Sequence, residues 1–416
     1  MNAFVLSIGD ELLSGRRLNR DLSIIADYLL KRGIKVVGEM IVPDRDELIK
    51  KALDYALSQA DIVILTGGLG PTHDDRTRWV VSEYFNRALD YRDELMDFVK
   101  KRLEDFGMQF IEDIHKNYAF VPRGFQYFKN EVGIAPAMVG KVRHGDSEKL
   151  VVLLPGPPRE VEHLLGKMDS VFEPYSDRYC DEFTIKTFGI PEVDITDILK
   201  KKDFEHFDSL SILPSPYGVQ LILKACGRDR DEVDKWLREQ SAKISEWLGP
   251  KYVYGYNDDT LEKVIGDLLR ERGLRIATAE SCTGGLVANL ITNVPGSSDY
   301  FWGSVVAYAN SVKMNVLGVP APLIRHFGAV SAPVALMMAE GVRRELEVDV
   351  GISTTGIAGP TGGTPEKPVG TVYMGISIRE RSRVILRHFT GDRLSIKLQT
   401  AYTLLNELRK MLIGEE

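Results

Sequence analysis

Apolar residues change their spacing along the first sixty-odd positions, and the changes mark out alternating strands and helices. The runs Phe4 to Ile8, Ile34 to Val42 and Ile62 to Leu65 have the length and density of buried strands. Between them, Leu18 to Lys31 and Asp44 to Ala60 repeat apolar residues at helical spacing. Gly33 stops the first, and Asp44 with Glu47 reads as a capping box for the second. This series predicts a parallel sheet covered on both faces. The domain is expected to continue through a charged helix at Arg92 to Phe106 and to close with a strand at Leu150 to Leu154. After it, Pro155-Gly156-Pro157-Pro158-Arg159-Glu160 breaks the strand and opens a new helix.

From about Phe172 the texture changes. Thr184 to Phe188 and Val219 to Ala225 read as strands and Asp229 to Leu248 as a helix, which together make a small α+β module with no glycine-rich turn of its own. Near Asp259 a second α/β domain begins. Its helices are expected at Leu261 to Glu271, Leu286 to Ile291, Pro333 to Leu346 and Leu394 to Leu412. Its strands are expected at Arg275 to Ala279, Phe301 to Tyr308, Val350 to Thr354, Val369 to Ile378 and Val384 to Phe389. The predicted division is 1–170, 171–256 and 257–416, the middle piece being a linker or dimerisation module.

Composition narrows the function classes. A chain of 416 residues exceeds one hydrophobic core, and 44% hydrophobic with 27% charged residues is an ordinary globular balance. A formal net charge of −7 argues against a broad nucleic-acid or anionic-membrane surface, so the expected partners are small molecules. No apolar run reaches bilayer length, and the amino-terminal residues read as a strand, not a signal peptide. Cys180, Cys226 and Cys282 are odd in number and far apart, which predicts neither a disulfide nor a zinc site, and cytoplasmic residence.

Two glycine-rich loops carry the candidate chemistry. The first, Thr66-Gly67-Gly68-Leu69-Gly70-Pro71-Thr72-His73-Asp74-Asp75, follows a strand and is expected to turn backbone N–H groups toward an anion. Asp74 and Asp75 beside a phosphate imply a bridging divalent cation such as magnesium, with the acids of Gly9-Asp10-Glu11, Asp10 and Glu11, able to complete a metal or water-activating site. The competing reading is that these carboxylates cap a turn or the helix Thr77 to Phe85. The second loop, Ala279-Glu280-Ser281-Cys282-Thr283-Gly284-Gly285, presents a nucleophile at a strand-to-helix turn, with helix N–H groups expected to hold an oxyanion. Ser281 and Cys282 are rivals for that role. His326 and His388 lack a carboxylate to orient them, so Lys313, desolvated, is the candidate base. Ser353 to Gly363 supplies hydroxyls and a glycine loop able to cradle a phosphate monoester, and Arg393 would clamp it.

The strand-TGGLGPTHDD-T-helix segment with its later P-G-P-P-R-E turn resembles the MoaB/MogA type of molybdopterin-binding fold, and more closely the amino-terminal domain of the CinA family. The resemblance implies a three-layer α/β domain with ADP-ribose pyrophosphatase activity. It places Thr66, Gly67, Gly68 and Gly70 at the pyrophosphate, and Asp10, Asp74 and Asp75 at its metal. In residues 260–412 the signatures A-E-S-C-T-G-G, Y-x-N-x-x-K, G-A-V-S, G-I-A-G-P-x-G-G, K-P-V-G-T-V and G-D-R occur in order and resemble the CinA carboxy-terminal domain, a nicotinamide mononucleotide deamidase. This implies Ser281 as nucleophile and Lys313 as base, with Tyr308, Ser298, Thr355 and Arg393 as substrate or acid–base partners. Asn310, Gly356 and Gly359 are expected at the substrate, and no metal at this site. The function so implied is a bifunctional hydrolase of pyridine-nucleotide salvage, acting as a homodimer. A non-catalytic nucleotide or molybdopterin-type binding role for the first domain is the alternative.

Overall fold

The computed structural model describes residues 1–176, 178–215 and 218–415. The chain folds into two compact units, Met1–Asp181 with Ala225–Lys235 and Glu182–Lys224 with Trp236–Glu416, so the division runs through the middle module. Among the described residues no helix is long and apolar enough to cross a membrane.

The first unit holds β1 (Asn2–Ile8), β2 (Lys35–Val42), β3 (Ile62–Thr66), β4 (Leu89–Tyr91), β5 (Phe120–Pro122), β6 (Gln126–Phe128), β7 (Ala137–His144) and β8 (Ser147–Leu154). Six of these form one sheet in the order β2-β1-β3-β8-β7-β6, and β4 pairs with β5. The β2, β1, β3 and β8 strands are parallel, as the alternation predicts, while β7 and β6 add an antiparallel edge. Successive side chains leave a strand on opposite faces, which explains the unbroken apolar runs. Phe4, Leu6, Val63 and Leu65 pack with Ile49, Leu53 and Leu57 of the helix Asp46–Gln59. Ala3, Val5, Ile62 and Ile64 pack on the other face with Ile25, Leu29, Val161 and Leu165. Truncating Leu53, fully buried here, would cost about 2–5 kcal/mol. The register sets Ser7 beside Thr66 and Thr66 beside Leu154, so the loops after β1, β3 and β8 leave from one edge.

Two expectations are corrected. The helix after β2 starts at Asp46 with Arg45 as N-cap and no side-chain cap; the Asp44 carboxylate instead accepts the Asp10 backbone N–H at 3.1 Å, so no capping box forms. In the middle module, β9 (Tyr179–Thr187), β10 (Leu210–Ser215), β11 (Gly218–Gly227) and β12 (Val253–Tyr256) form a sheet in the order β10-β11-β9-β12. Cys180 and Cys226 lie on the neighbouring strands β9 and β11 and form a disulfide, contrary to the reading from cysteine number and spacing. Strand adjacency brings together residues that sequence distance keeps apart.

The last domain has β13 (Ile276–Glu280), β14 (Phe301–Val306), β15 (Val350–Gly356), β16 (Thr371–Ile378) and β17 (Arg381–His388), in the order β14-β13-β15-β16-β17. The first three strands of that order are parallel and the last two antiparallel. Ile276 and Ile352 face the helices Leu261–Glu271 and Arg393–Ile413, whereas Ala277 and Ala279 face the helix Ala332–Glu345. The carboxyl ends of β13, β14 and β15 lie side by side, because Glu280 pairs with both Val306 and Thr354.

Candidate active sites

In the carboxy-terminal domain, Ser281 takes the position after β13 and its N–H donates to the Thr354 carbonyl at 3.0 Å, so the nucleophile's backbone is fixed by the β15 ladder. The chain then reverses through Gly284 (φ 64°) and Gly285 (φ 96°), a left-handed pair that favours glycine. Beyond β14, the short helix Asn310–Asn315 carries Lys313 back toward this turn. Lys313 Nζ lies 3.1 Å from Ser281 Oγ, 2.6 Å from the Ala307 carbonyl and 3.2 Å from the Tyr308 carbonyl.

Lys313 is 1% exposed, and among the described residues no carboxylate pairs with it. Burial therefore pushes its ammonium below the usual lysine range, opposed only by the neighbouring Cys282. A neutral amine suits the three contacts: two N–H bonds go to the carbonyls and the lone pair accepts the Ser281 hydroxyl proton. Cys282 is sealed in the apolar core, and burial pushes its thiol up to about 11, the opposite of an activated thiolate. Of the two rivals, Ser281 is the one that hydrogen-bonds the base among the described residues.

The helix after the turn does not supply the oxyanion donors expected of it. Glu280 is buried beneath the turn and accepts from Gly285 N at 2.9 Å, Val287 N at 3.1 Å and Ala288 N at 2.8 Å, so those amides are engaged. Glu280 was visible in the sequence only as part of a motif; an acidic residue six places before a helix is not an ordinary capping signal.

The remaining residues divide. Arg393 donates to the Gly359 carbonyl at 2.6 Å and to the Tyr308 hydroxyl at 3.2 Å, fastening the glycine loop to the segment that bears Lys313. Tyr308 thus touches Lys313 through its carbonyl, while its ring is exposed. Asn310 is exposed at the start of the Lys313 helix. Gly356 ends β15, where a Cβ would meet the Thr371 carbonyl at 2.9 Å, and Gly359 has φ 74°. Thr355 donates its hydroxyl to Ala329 O at 2.8 Å, just ahead of the helix Ala332–Glu345 and on the sheet face that Ala277 and Ala279 share, while Thr354 meets Thr283 Oγ1 at 2.7 Å on the other face. Ser298 is misplaced by the sequence reading. It precedes β14, whose first residue pairs with Ile276 at the start of β13, at the opposite end of the sheet from Ser281. His388 hydrogen-bonds Thr371 at 3.2 Å and His326 packs against Phe327, as expected of structural histidines.

In the first domain the three loops of the sheet edge enclose a cavity of about 930 Å³. Gly67, Gly68, Gly70, Asp10, Asp74 and Asp75 all line it. A Cβ on Gly67 would meet the Ile8 carbonyl at 2.2 Å, which explains the glycine. The expected nest of amides is only partly free. Gly67 N donates to Leu154 O at 3.1 Å, and Gly70 N donates to Asp75 Oδ1 at 2.8 Å. Thr66 instead shares a hydrogen bond with the buried Asp21, in a small niche behind the loop. Asp75 also accepts the Thr72 N–H at 2.9 Å and hydroxyl at 2.7 Å, so both its oxygens fold the loop and neither caps the helix Thr77–Tyr84, whose N-cap is Arg76. Arg78, fully buried and pushed down to about 10 by burial, braces the same loop through the Leu69 and Asn117 carbonyls.

Asp74 is exposed and pairs with His73 at 2.9 Å. Glu11 joins the lining with Asp44 and Glu160, the last two not singled out as ligands from sequence, and Arg16 is its one cation among the described residues. Burial and the charges of Glu11, Asp10 and Asp75 hold the Asp44 carboxyl above its usual range. Among the described residues no cluster of three or more His, Cys, Asp or Glu side chains is arranged to hold a metal ion unaided.

Family models match three stretches: the Probable molybdopterin binding domain over residues 4–170, the Damage-inducible protein CinA KH domain over 183–255, and the CinA C-terminal domain over 258–412. The chain is 38% identical over 428 residues to a CinA-like protein of Dictyoglomus thermophilum, covering 100% of both. It is 36% identical over 417 residues to a CinA-like protein of Thermotoga maritima, covering 100% of this chain and 99% of the relative. Among solved structures, the competence/damage inducible protein CihA from Agrobacterium tumefaciens is 38% identical, with a TM-score of 0.36, and covers 37% of this chain and 93% of its own.

Proposed function

The chain belongs to the CinA family, and from that premise we propose that it is a hydrolase with two separate sites, the carboxy-terminal one deamidating nicotinamide mononucleotide and the amino-terminal one splitting ADP-ribose. The observation that carries the first activity is the 3.1 Å approach of a buried lysine, unpaired with any carboxylate among the described residues, to Ser281 Oγ. Neutral Lys313 takes the serine proton as Oγ attacks the carboxamide carbon, and the tetrahedral oxyanion falls to the turn amides of Cys282 to Gly284, since Glu280 holds the helix amides. The C–N bond breaks, the lysinium returns its proton to the departing ammonia, and water hydrolyses the ester to the carboxylate and free serine. Arg393 stands ready for the phosphate monoester. Ammonia release by wild type, Ser281→Ala and Cys282→Ala tests the assignment: the serine variant is expected to be dead and the cysteine variant active, and an active Ser281→Ala ends it.

For the first site, one arginine against Asp10, Glu11, Asp44, Asp74, Asp75 and Glu160 cannot neutralise a pyrophosphate, and the raised Asp44 carboxyl reflects the crowding of negative charge there. Those acids fit a divalent cation held jointly with the ligand's phosphates, with Asp10, Asp44 and Asp74 as its carboxylates and Asp75 keeping the loop in shape. When bound, the cation would neutralise the diphosphate and polarise its P–O bonds. The engagement of both Asp75 oxygens favours a second reading, a nucleotide or molybdopterin-type binding module without turnover. ADP-ribose that binds with magnesium and yields no AMP would select it. Nucleic acid is not among the proposed ligands: residues 183–255 contain no G-x-x-G, the loop with which KH modules clamp a nucleotide backbone.

A further inference from the structure

The residues lining the first cavity fall into two sets, or lobes, of opposite character. In one, Asp44 feels the charges of Asp10, Glu11 and Asp75, so four carboxylates share a neighbourhood. The other is apolar, with Phe106 and Met108 just past the helix Asp93–Asp105 and Val132 and Ile134 ahead of β7. Arg102 joins the two segments of this lobe. Its Nε donates to the Gly133 carbonyl at 3.2 Å, its Nη1 bonds Asp105 at 3.0 Å, and its guanidinium carbon lies 4.6 Å from the centre of the Phe106 ring. The ring is thereby fixed in attitude while 49% of the residue stays exposed, and Met108 is 50% exposed beside it. Large apolar side chains held half in water on a cavity wall are a contact surface awaiting a ligand.

We propose that this lobe is a base slot, in which the planar heterocycle of a nucleotide stacks on Phe106 while its phosphates reach the carboxylate lobe through a cation. The inference rests on reading the cavity as a nucleotide site, and is independent of whether that nucleotide is hydrolysed. A flat ring suits the slot better than an alkyl tail, because the cation-backed Phe106 face is one that aromatic systems stack on. At about 930 Å³ the cavity is also larger than a phosphorylated pentose alone requires.

The test is calorimetric titration of AMP and of ribose 5-phosphate, each with magnesium, into the full chain as wild type, Phe106→Ala and Phe106→Trp. Phe106→Ala is expected to weaken AMP roughly 30-fold, the middle of the range for loss of one base–aromatic stack. Phe106→Trp is expected to hold AMP as wild type does, and ribose 5-phosphate to bind all three proteins alike. Because Phe106 is half exposed, its truncation leaves the core intact. Unchanged AMP affinity in Phe106→Ala, or AMP binding wild type no more tightly than ribose 5-phosphate, overturns the slot. A wild type that binds AMP through Phe106 yet never cleaves ADP-ribose would sink the hydrolase reading and leave the slot standing; ADP-ribose turnover with its KM indifferent to Phe106 would do the reverse.

Discussion

Replacing Lys313 by methionine tests the central electrostatic argument, because the two side chains have similar length and only the amine is lost. The structure gives that amine three partners and no counter-ion. Losing a positioned general base typically costs 10²–10⁴ in rate, so ammonia release should fall by about 3–5 kcal/mol of barrier. Stability should change far less: the Ala307 and Tyr308 carbonyls lose a donor, at roughly 1–3 kcal/mol for each left unsatisfied, while the penalty for keeping an ammonium out of water disappears. The sign of the pH dependence follows from the lowered lysine. Between its folded-state value and the ordinary 10.4 or so, the unfolded chain binds more protons than the folded one, so stability rises with pH across that window. The neutral, catalytic amine accumulates through the lower end of the same window, so kcat/KM should climb there too. The assay is ammonia release from pH 5 to 10 beside thermal melts at each pH, on wild type and Lys313→Met. A wild-type rate flat in pH, or a variant keeping more than about a tenth of the activity, would refute the neutral-lysine mechanism.

Three further outcomes are expected. Thr355→Val should reduce ammonia release, since its hydroxyl lies on the sheet face that carries Ser281 and Lys313, while Thr354→Val, whose hydroxyl meets Thr283 on the opposite face, should chiefly lower the melting temperature. Asp75→Ala, by releasing Gly70 N and both Thr72 donors, should cost roughly 1–3 kcal/mol and abolish AMP release while ammonia release persists; joint loss of both products would mean that the sites are not separate. Thiol titration of the denatured, unreduced chain should find the single thiol of Cys282. Reduction of Cys180–Cys226, which spans 46 residues, should destabilise the protein by about 4 kcal/mol on the chain-entropy model, measurable as a denaturation midpoint shift.

What was legible in the sequence is what short-range periodicity encodes. The β1-β2-β3 series, the placement of both glycine loops at a strand's carboxyl end, and the Ser281–Lys313 pair all follow from runs and turns that are local, or from motifs that keep fixed spacing. What escaped depends on which way a side chain faces. Ser298 lies on the wrong side of β14 because a strand carries its two ends to different edges. The Cys180–Cys226 pair needed knowledge that β9 adjoins β11. Asp44 looked like a cap because the sequence cannot show that the β1 loop offers it a backbone N–H.

The two sites also solve opposite electrostatic problems at the same kind of sheet edge. In the first, carboxylates crowd until burial and mutual repulsion raise Asp44, an arrangement poised to accept positive charge with its ligand. In the second, burial holds a lysine that no carboxylate pairs with among the described residues below its usual range, toward the neutral amine that the proposed mechanism uses. Glu280, one residue from Ser281, might have been expected to spoil this by pairing with Lys313. The three amides it accepts instead hold it to the helix start, which both anchors the nucleophile's turn and keeps a negative charge off the lysine. Glu280→Gln, with one carboxylate oxygen turned into a donor that cannot accept from an amide, should therefore cost ammonia release through misplacement of Ser281 while leaving the pH at which the rate rises unmoved. A rise displaced along the pH axis would show instead that Glu280 acts on Lys313 directly.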